Sequence, residues 1–150
     1  MVIELDFYTT QPFDLSQKKL KQIVGFIVRR AKPEIKSAKL SLAVVGNQEI
    51  KRLNRIYRNK NKPTTVLAFP GQVQGFIDIE GNDLGEIVIS KDKCLELARQ
   101  KKTTWRKEFL WLLTHGVLHL LGYDHHTDYQ FRQMKSMEDK ILLYLHKKYA

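Results

Sequence analysis

The segment Trp105 to Gly122 constrains this chain more than any other. It reads as a helix capped by Thr103 or Thr104, carrying Trp105, Phe109, Leu112, Leu113, Val117 and Leu120 at helical spacing and stopping at Gly122. On this otherwise apolar helix stand His115 and His119, four apart, so both project from one face within reach of a single ion. Gly122 is free to adopt the left-handed conformation that ends a helix, after which the chain can double back and bring His125 to the same point. Imidazoles left uncompensated there would be costly, so a metal is the expected occupant. Three nitrogen ligands leave a fourth position open to water, which suits a catalytic rather than a structural zinc. Nickel and copper are compatible with the same ligands.

The other elements follow from periodicity. Residues 2–7 and 39–45 alternate as strands, and 16–31 is an amphipathic helix capped by Asp14 or Ser16 and closed by Pro33. Gly46 and Asn47 turn the chain into a helix over 48–58 with Ile50, Leu53 and Ile56 on its apolar face, and 59–63 is a polar loop. Short strands are expected over 65–69, 75–79 and 85–89. A helix then starts at Ser90 or Asp92, and a last one, capped by Thr127 or Asp128, runs to about Lys148. There is no linker, repeat or low-complexity tract. The expected architecture is one α+β domain over residues 1–150: a small mixed sheet packed by helices, with the metal helix lining an open, zincin-like cleft.

Charge narrows the partners. The chain has 26 basic and 16 acidic side chains, a formal +10, and residues 1–63 carry +9 of it. Such an asymmetry points to a polyanion, although Lys-rich solvated helix faces produce it too. A single cysteine, Cys94, excludes an internal disulfide. No apolar run nears the length of a membrane span and no signal peptide is visible at the start, so a cytoplasmic location is expected.

The spacing H-x3-H-x5-H, with glycine seven residues after the first histidine, resembles the metzincin signature H-E-x-x-H-x-x-G-x-x-H. Here Gly116 replaces the glutamate that serves a peptidase as general base. The stretch His115-Gly-Val-Leu-His-Leu-Leu-Gly-Tyr-Asp-His125 resembles more specifically the H-G-x-L-H-L-x-G-Y-D-H signature of the YbeY family of bacterial rRNA-maturation endoribonucleases. Residues 53–70, from Leu53-Asn through Tyr57-Arg58 and Pro63-Thr64 to Phe69-Pro70, are similar to that family's L-N-x-x-Y-R-x-x-x-x-P-T-x-V-L-x-F-P segment. Gly85-Glu-Ile-Val-Ile-Ser90 resembles its G-D-I-x-I-S strand. The resemblance implies a single-strand-specific, zinc-dependent endoribonuclease acting in 16S rRNA 3′-end maturation and ribosome quality control, with rRNA and the ribosome or its proteins as partners. By position, His115, His119 and His125 would be the metal ligands and Arg58 the functional arginine. Thr65, Ala68 and Glu86 depart from the usual family residues and are given no catalytic role.

The remaining candidates carry alternatives. A guanidinium at Arg58 suits bidentate contact with phosphate, whereas Arg52, Arg55, Lys60 and Lys62 are either phosphate-tracking cations or a solvated face. Tyr57 either stacks on a base or packs in the core. Asp124 either orients a ligand imidazole from behind or caps the loop. His126 is expected to point away from the ligands, His146 to sit as a cation at a helix C-terminus, Cys94 to be buried, and Met134 and Met137 to be core residues rather than a Met-turn. A metallopeptidase and a non-catalytic RNA-binding metalloprotein are the competing functions; the absent glutamate opposes the first and the open ligand position the second.

Overall fold

Each helix begins where a short polar side chain can take over a backbone N–H that the helix leaves unpaired. In the computed structural model, which describes residues 1–71 and 81–150, Ser16, Ser90, Thr104 and Thr127 are the N-caps of α1 (Gln17–Ala31), α3 (Lys91–Lys101), α4 (Trp105–Leu120) and α5 (Asp128–Tyr149). Thr127 and Gln130 form a reciprocal capping box. The remaining helix, α2 (Asn47–Arg58), starts at Gly46 without a side-chain cap of its own. Its first N–H, from Asn47, instead donates to the Asp92 carboxylate of α3 at 2.8 Å, which ties the two helices together.

The strands β1 (Val2–Thr9), β2 (Ser37–Val45), β3 (Val66–Pro70) and β4 (Asn82–Ser90) form one sheet in the order β1-β2-β4-β3. The first three in that order are parallel and β3 runs antiparallel to β4, so the sheet is mixed, as expected. The strand expected over residues 75–79 lies outside the described residues. β4 extends beyond the expected 85–89 because Gly85 sits inside it, at a break in register opposite Lys39 and Leu40. There φ is +113°, and a Cβ would stand 2.0 Å from the Phe69 carbonyl oxygen, so only glycine fits.

α4 is apolar on nearly every side because it is surrounded. It packs against β3, β4, α1, α3 and α5, and Phe109, Leu110, Leu112, Leu113, Val117 and Leu118 are all buried. Phe109 meets the Phe13 ring edge-on at 5.1 Å between centroids. Cys94 and Met134 are buried in the same core, as expected. Each fully buried Leu or Ile contributes roughly 1.5–3 kcal/mol of transfer free energy, so α4 is firmly held. Gly116 allows its close approach to the sheet: a Cβ there would lie 3.1 Å from the Ile87 Cδ1 of β4. Toward the C-terminus of α4, His115 and His119 are only partly enclosed.

Candidate active site

α4 ends in a Schellman arrangement. The Gly122 N–H donates to the His119 carbonyl at 3.1 Å and the Tyr123 N–H to the Leu118 carbonyl at 3.0 Å, with Gly122 at φ +101°. The chain therefore reverses where the sequence places the glycine, and it returns His125 to the face that presents His115 and His119. The ring centroid of His125 stands 6.2 Å from that of His115 and 6.4 Å from that of His119. Rings sharing one tetrahedral ion, with bonds of about 2 Å, would have centroids about 5 Å apart. As they stand, no three His, Cys, Asp or Glu side chains among the described residues are close enough to hold an ion. The closure required is about an ångström, and the His125 side chain is half exposed.

The donor set nevertheless suits a borderline divalent cation. His115 Nδ1 is 2.7 Å from Glu138 Oε1 of α5, which fixes that nitrogen as the donor and turns Nε2 toward the cleft. Burial, foremost, holds His119 below the ordinary imidazole pKa; the positive fields of His115, His125 and Arg58 add to it against the pull of Asp124. A neutral imidazole is the form that can ligate a metal. Glu138 is itself buried and was missed by the sequence reading. Its only signal was an acid at a core-facing position of α5, in register with Met134 and Ile141.

Across the cleft stands Arg58 at the end of α2. Its Nη2 donates to the Ala68 carbonyl of β3 at 2.7 Å, and its guanidinium carbon lies 5.6 Å from the Phe69 ring centre. Both contacts hold the fork in place while leaving its remaining N–H groups free for an anion. Asn59, in the left-handed conformation at φ 56°, ends α2 and starts the loop that follows. The buried Asn54 then anchors this loop, donating from Nδ2 to the Lys62 carbonyl at 2.9 Å. Lys60 and Lys62 are thereby set on the rim of a cleft of about 530 Å³ that also contains Arg58, His115, His119 and His125.

Other candidates fall elsewhere. Arg52 is paired with Glu49 at 2.7 Å, and neither Arg52 nor Arg55 lines the cleft. Tyr57 is exposed, packs edge-on against Phe69 at 5.3 Å and faces the neighbouring cavity. Asp124 Oδ1 accepts the His125 backbone N–H at 2.7 Å but is 3.9 Å from His125 Nδ1, beyond hydrogen-bond length. Its ring partner is the exposed His126, at 3.3 Å. His146 differs from expectation: instead of serving as a helix-end cation it is half-buried, and burial, helped by the charge of Lys107, depresses its pKa against the opposing effect of Glu108. Desolvation outweighs the helix dipole at that position.

The comparisons with known proteins accord with this geometry. The family described as Endoribonuclease YbeY matches residues 6–146. An Endoribonuclease YbeY of Onion yellows phytoplasma (strain OY-M) is 42% identical over 109 residues, covering 72% of this chain and 75% of the relative. The Legionella pneumophila (strain Corby) protein of the same name is 35% identical over 140 residues, 93% of this chain and 87% of the relative. Among solved structures, the solution structure of TM1509 from Thermotoga maritima superposes with a TM-score of 0.65 at 26% identity, over 97% of this chain and 93% of that one. The match in sequence runs through the arginine, the loop and the histidine helix alike, and the chain belongs to the Endoribonuclease YbeY family.

Proposed function

We propose that the protein is a single-strand-specific, zinc-dependent endoribonuclease that acts in the cytoplasm on the 3′ end of 16S rRNA during maturation and ribosome quality control. The observation that carries this reading is the meeting, in one open cleft, of three convergent imidazoles with a pinned guanidinium and two loop lysines. The relatives are named endoribonucleases, and no described helix is long and apolar enough to cross a membrane.

His115, His119 and His125 would hold the ion. When bound, a divalent cation there supplies Lewis acidity to a phosphate oxygen and acidifies a water. Arg58 binds the scissile phosphate and stabilises the negative charge that gathers on its oxygens during displacement. Lys60 and Lys62 hold the flanking phosphates, which fixes the strand without reading its sequence. Glu138 keeps His115 in the tautomer that ligates. The cleft is open, as a chain of unstacked nucleotides requires, and a duplex offers no comparably splayed backbone.

Gly116 opposes the peptidase alternative in space as well as in sequence. A Cβ there would lie 3.1 Å from Ile87 Cδ1 of β4, so a glutamate introduced at this position would crowd the Ile87 side chain.

The test is single-turnover cleavage of single-stranded rRNA by wild type, His115→Ala and Arg58→Ala, with bound metal assayed in parallel. The reading expects His115→Ala to lose metal and cleavage together. Arg58→Ala should keep its metal and lose about 10²–10³ in rate, the usual worth of one charge-stabilising donor. Equal cleavage by all three would sink it.

A further inference from the structure

Behind the histidine-bearing segment lies a second groove, of about 600 Å³, between the C-terminal end of α1, the 122–124 segment and α5. Its cations are Lys32, Arg132 and Lys140, and its aromatic side chains are Tyr123 and Tyr129. We propose that this groove is a second binding site for single-stranded RNA, which receives the strand where it leaves the cleft of His115, His119 and His125; the proposal rests on the RNA reading given above.

Continuity is the first argument. The two hollows share one wall, since Gly122, Tyr123 and Asp124 line the groove and His125, the next residue, lines the cleft. A chain crossing the histidines passes over this wall into the groove.

Charge is the second. Among the described residues, Lys32, Arg132 and Lys140 have no carboxylate partner within ion-pair distance, whereas Lys135, on the same helix, is 3.6 Å from Asp139. Asp124 is the one acid among the residues that line the groove. Its oxygens already face the His125 N–H at 2.7 Å and His126 Nε2 at 3.3 Å. Three cations without a carboxylate partner among the described residues, beside one hydrogen-bonded carboxylate, make a hollow suited to a polyanion.

The spacing of α5 is the third. Met134, Glu138, Ile141 and Leu145 are its buried face. Tyr129, Arg132, Ser136 and Lys140, three or four residues apart, form a stripe along the groove. From Arg132 to Lys140 the helix rises about 12 Å, so the cations are spread along a track instead of meeting at one point. A compact anion would want them converging; a phosphodiester chain wants them in line. The Lys32 ammonium lies 5.7 Å from the Tyr123 ring centre, and the Tyr129 hydroxyl accepts from Gln133 Nε2 at 2.8 Å. Tyr129 is exposed, so its ring offers aromatic surface to an unpaired base.

The experiment compares wild type with Lys32→Gln/Arg132→Gln/Lys140→Gln, loaded with metal, on single-stranded RNAs of about 4 and about 16 nucleotides. A control variant neutralises Lys18, Lys19 and Lys147, which are exposed and line neither hollow. Binding is followed by fluorescence anisotropy against salt, and cleavage in a single turnover. The short RNA should be bound and cut equally by all three proteins. On the long RNA the groove variant alone should bind more weakly, with a log–log salt slope shallower by about 2, from about 0.7 per lost phosphate contact. Between about 50 and 200 mM salt it should then forfeit about 20-fold less affinity than wild type. Wild-type affinity and slope in the groove variant, or an equal fall in the control, overturns the groove while leaving the nuclease reading intact. Unchanged RNA binding with lost affinity for ribosomal subunits would assign the groove to a protein and overturn it too. Failure of wild type to bind or cut either RNA removes the nuclease reading and the groove with it.

Discussion

Glu138 ties the C-terminal helix to the ligand cluster, and its replacement tests the cluster directly. Its carboxylate is buried and 2.7 Å from His115 Nδ1. Glutamine keeps the volume and an acceptor oxygen but loses the charge. A charge-assisted hydrogen bond is worth about 1.5–3 kcal/mol and a neutral one about 1. The difference, about 0.5–2 kcal/mol, corresponds to about 2- to 30-fold in zinc affinity, with about tenfold as the central expectation. Glu138→Ala removes the acceptor altogether and frees the ring to rotate, so the loss should approach 100-fold, the upper end for partners behind metal ligands. Competition against a chromogenic zinc chelator measures both affinities, with circular dichroism of the apo proteins to establish that α5 remains folded. Zinc affinities within about twofold of wild type in both folded variants would refute the role, because a ring that needs no partner is not positioned by one.

Three further outcomes follow from residues away from the ligands. Asn54→Ala removes the donor to the Lys62 carbonyl, and should cost about 1–3 kcal/mol in urea unfolding while raising KM for RNA more than it lowers kcat; unchanged KM would show that the loop holds its lysines without help. Burial pushes the Cys94 thiol up to about 12, so it should resist a disulfide reagent at about pH 8 until the chain is unfolded; labelling of the native protein at the unfolded rate contradicts this. His146 has a folded pKa below the ordinary 6.5, so protonation favours the unfolded chain. Its contribution is present above that value and is lost as pH falls through the folded pKa, and wild type should lose more stability than His146→Gln between about pH 7.5 and pH 5.5. Parallel pH profiles for the two proteins would exclude it.

Periodicity was sufficient for most of the framework. α4 and α5 announce themselves by apolar spacing, and Thr104, Gly122 and Thr127 mark their ends through local chemistry that needs no tertiary partner. The three histidines were legible for the same reason: helix spacing and a glycine stop bring them together within eleven residues. What the sequence left open depends on long-range packing. Glu138 reads as one more charge on a polar helix until α5 is laid against α4. Charge alone does not separate Arg58 from Arg55 in a basic run; the resemblance at Tyr57-Arg58 does, and the Ala68 carbonyl and the Phe69 ring give that choice its physical form. His146 was misjudged because a helix end suggests a cation, whereas the neighbouring elements enclose it. The bulge at Gly85 is likewise a property of two strands, not one.

The segment between α4 and α5 has a fixed span. It starts from the Schellman turn at Gly122 and finishes at the Thr127 capping box, so both of its ends are clamped to rigid helices. One inserted residue adds up to about 3.5 Å of reach, more than the length of a bond between zinc and imidazole, about 2 Å. Exposed connections ordinarily tolerate gains and losses of residues. A one-residue insertion between Gly122 and Thr127 should instead carry the His125 ring away from His115 and His119.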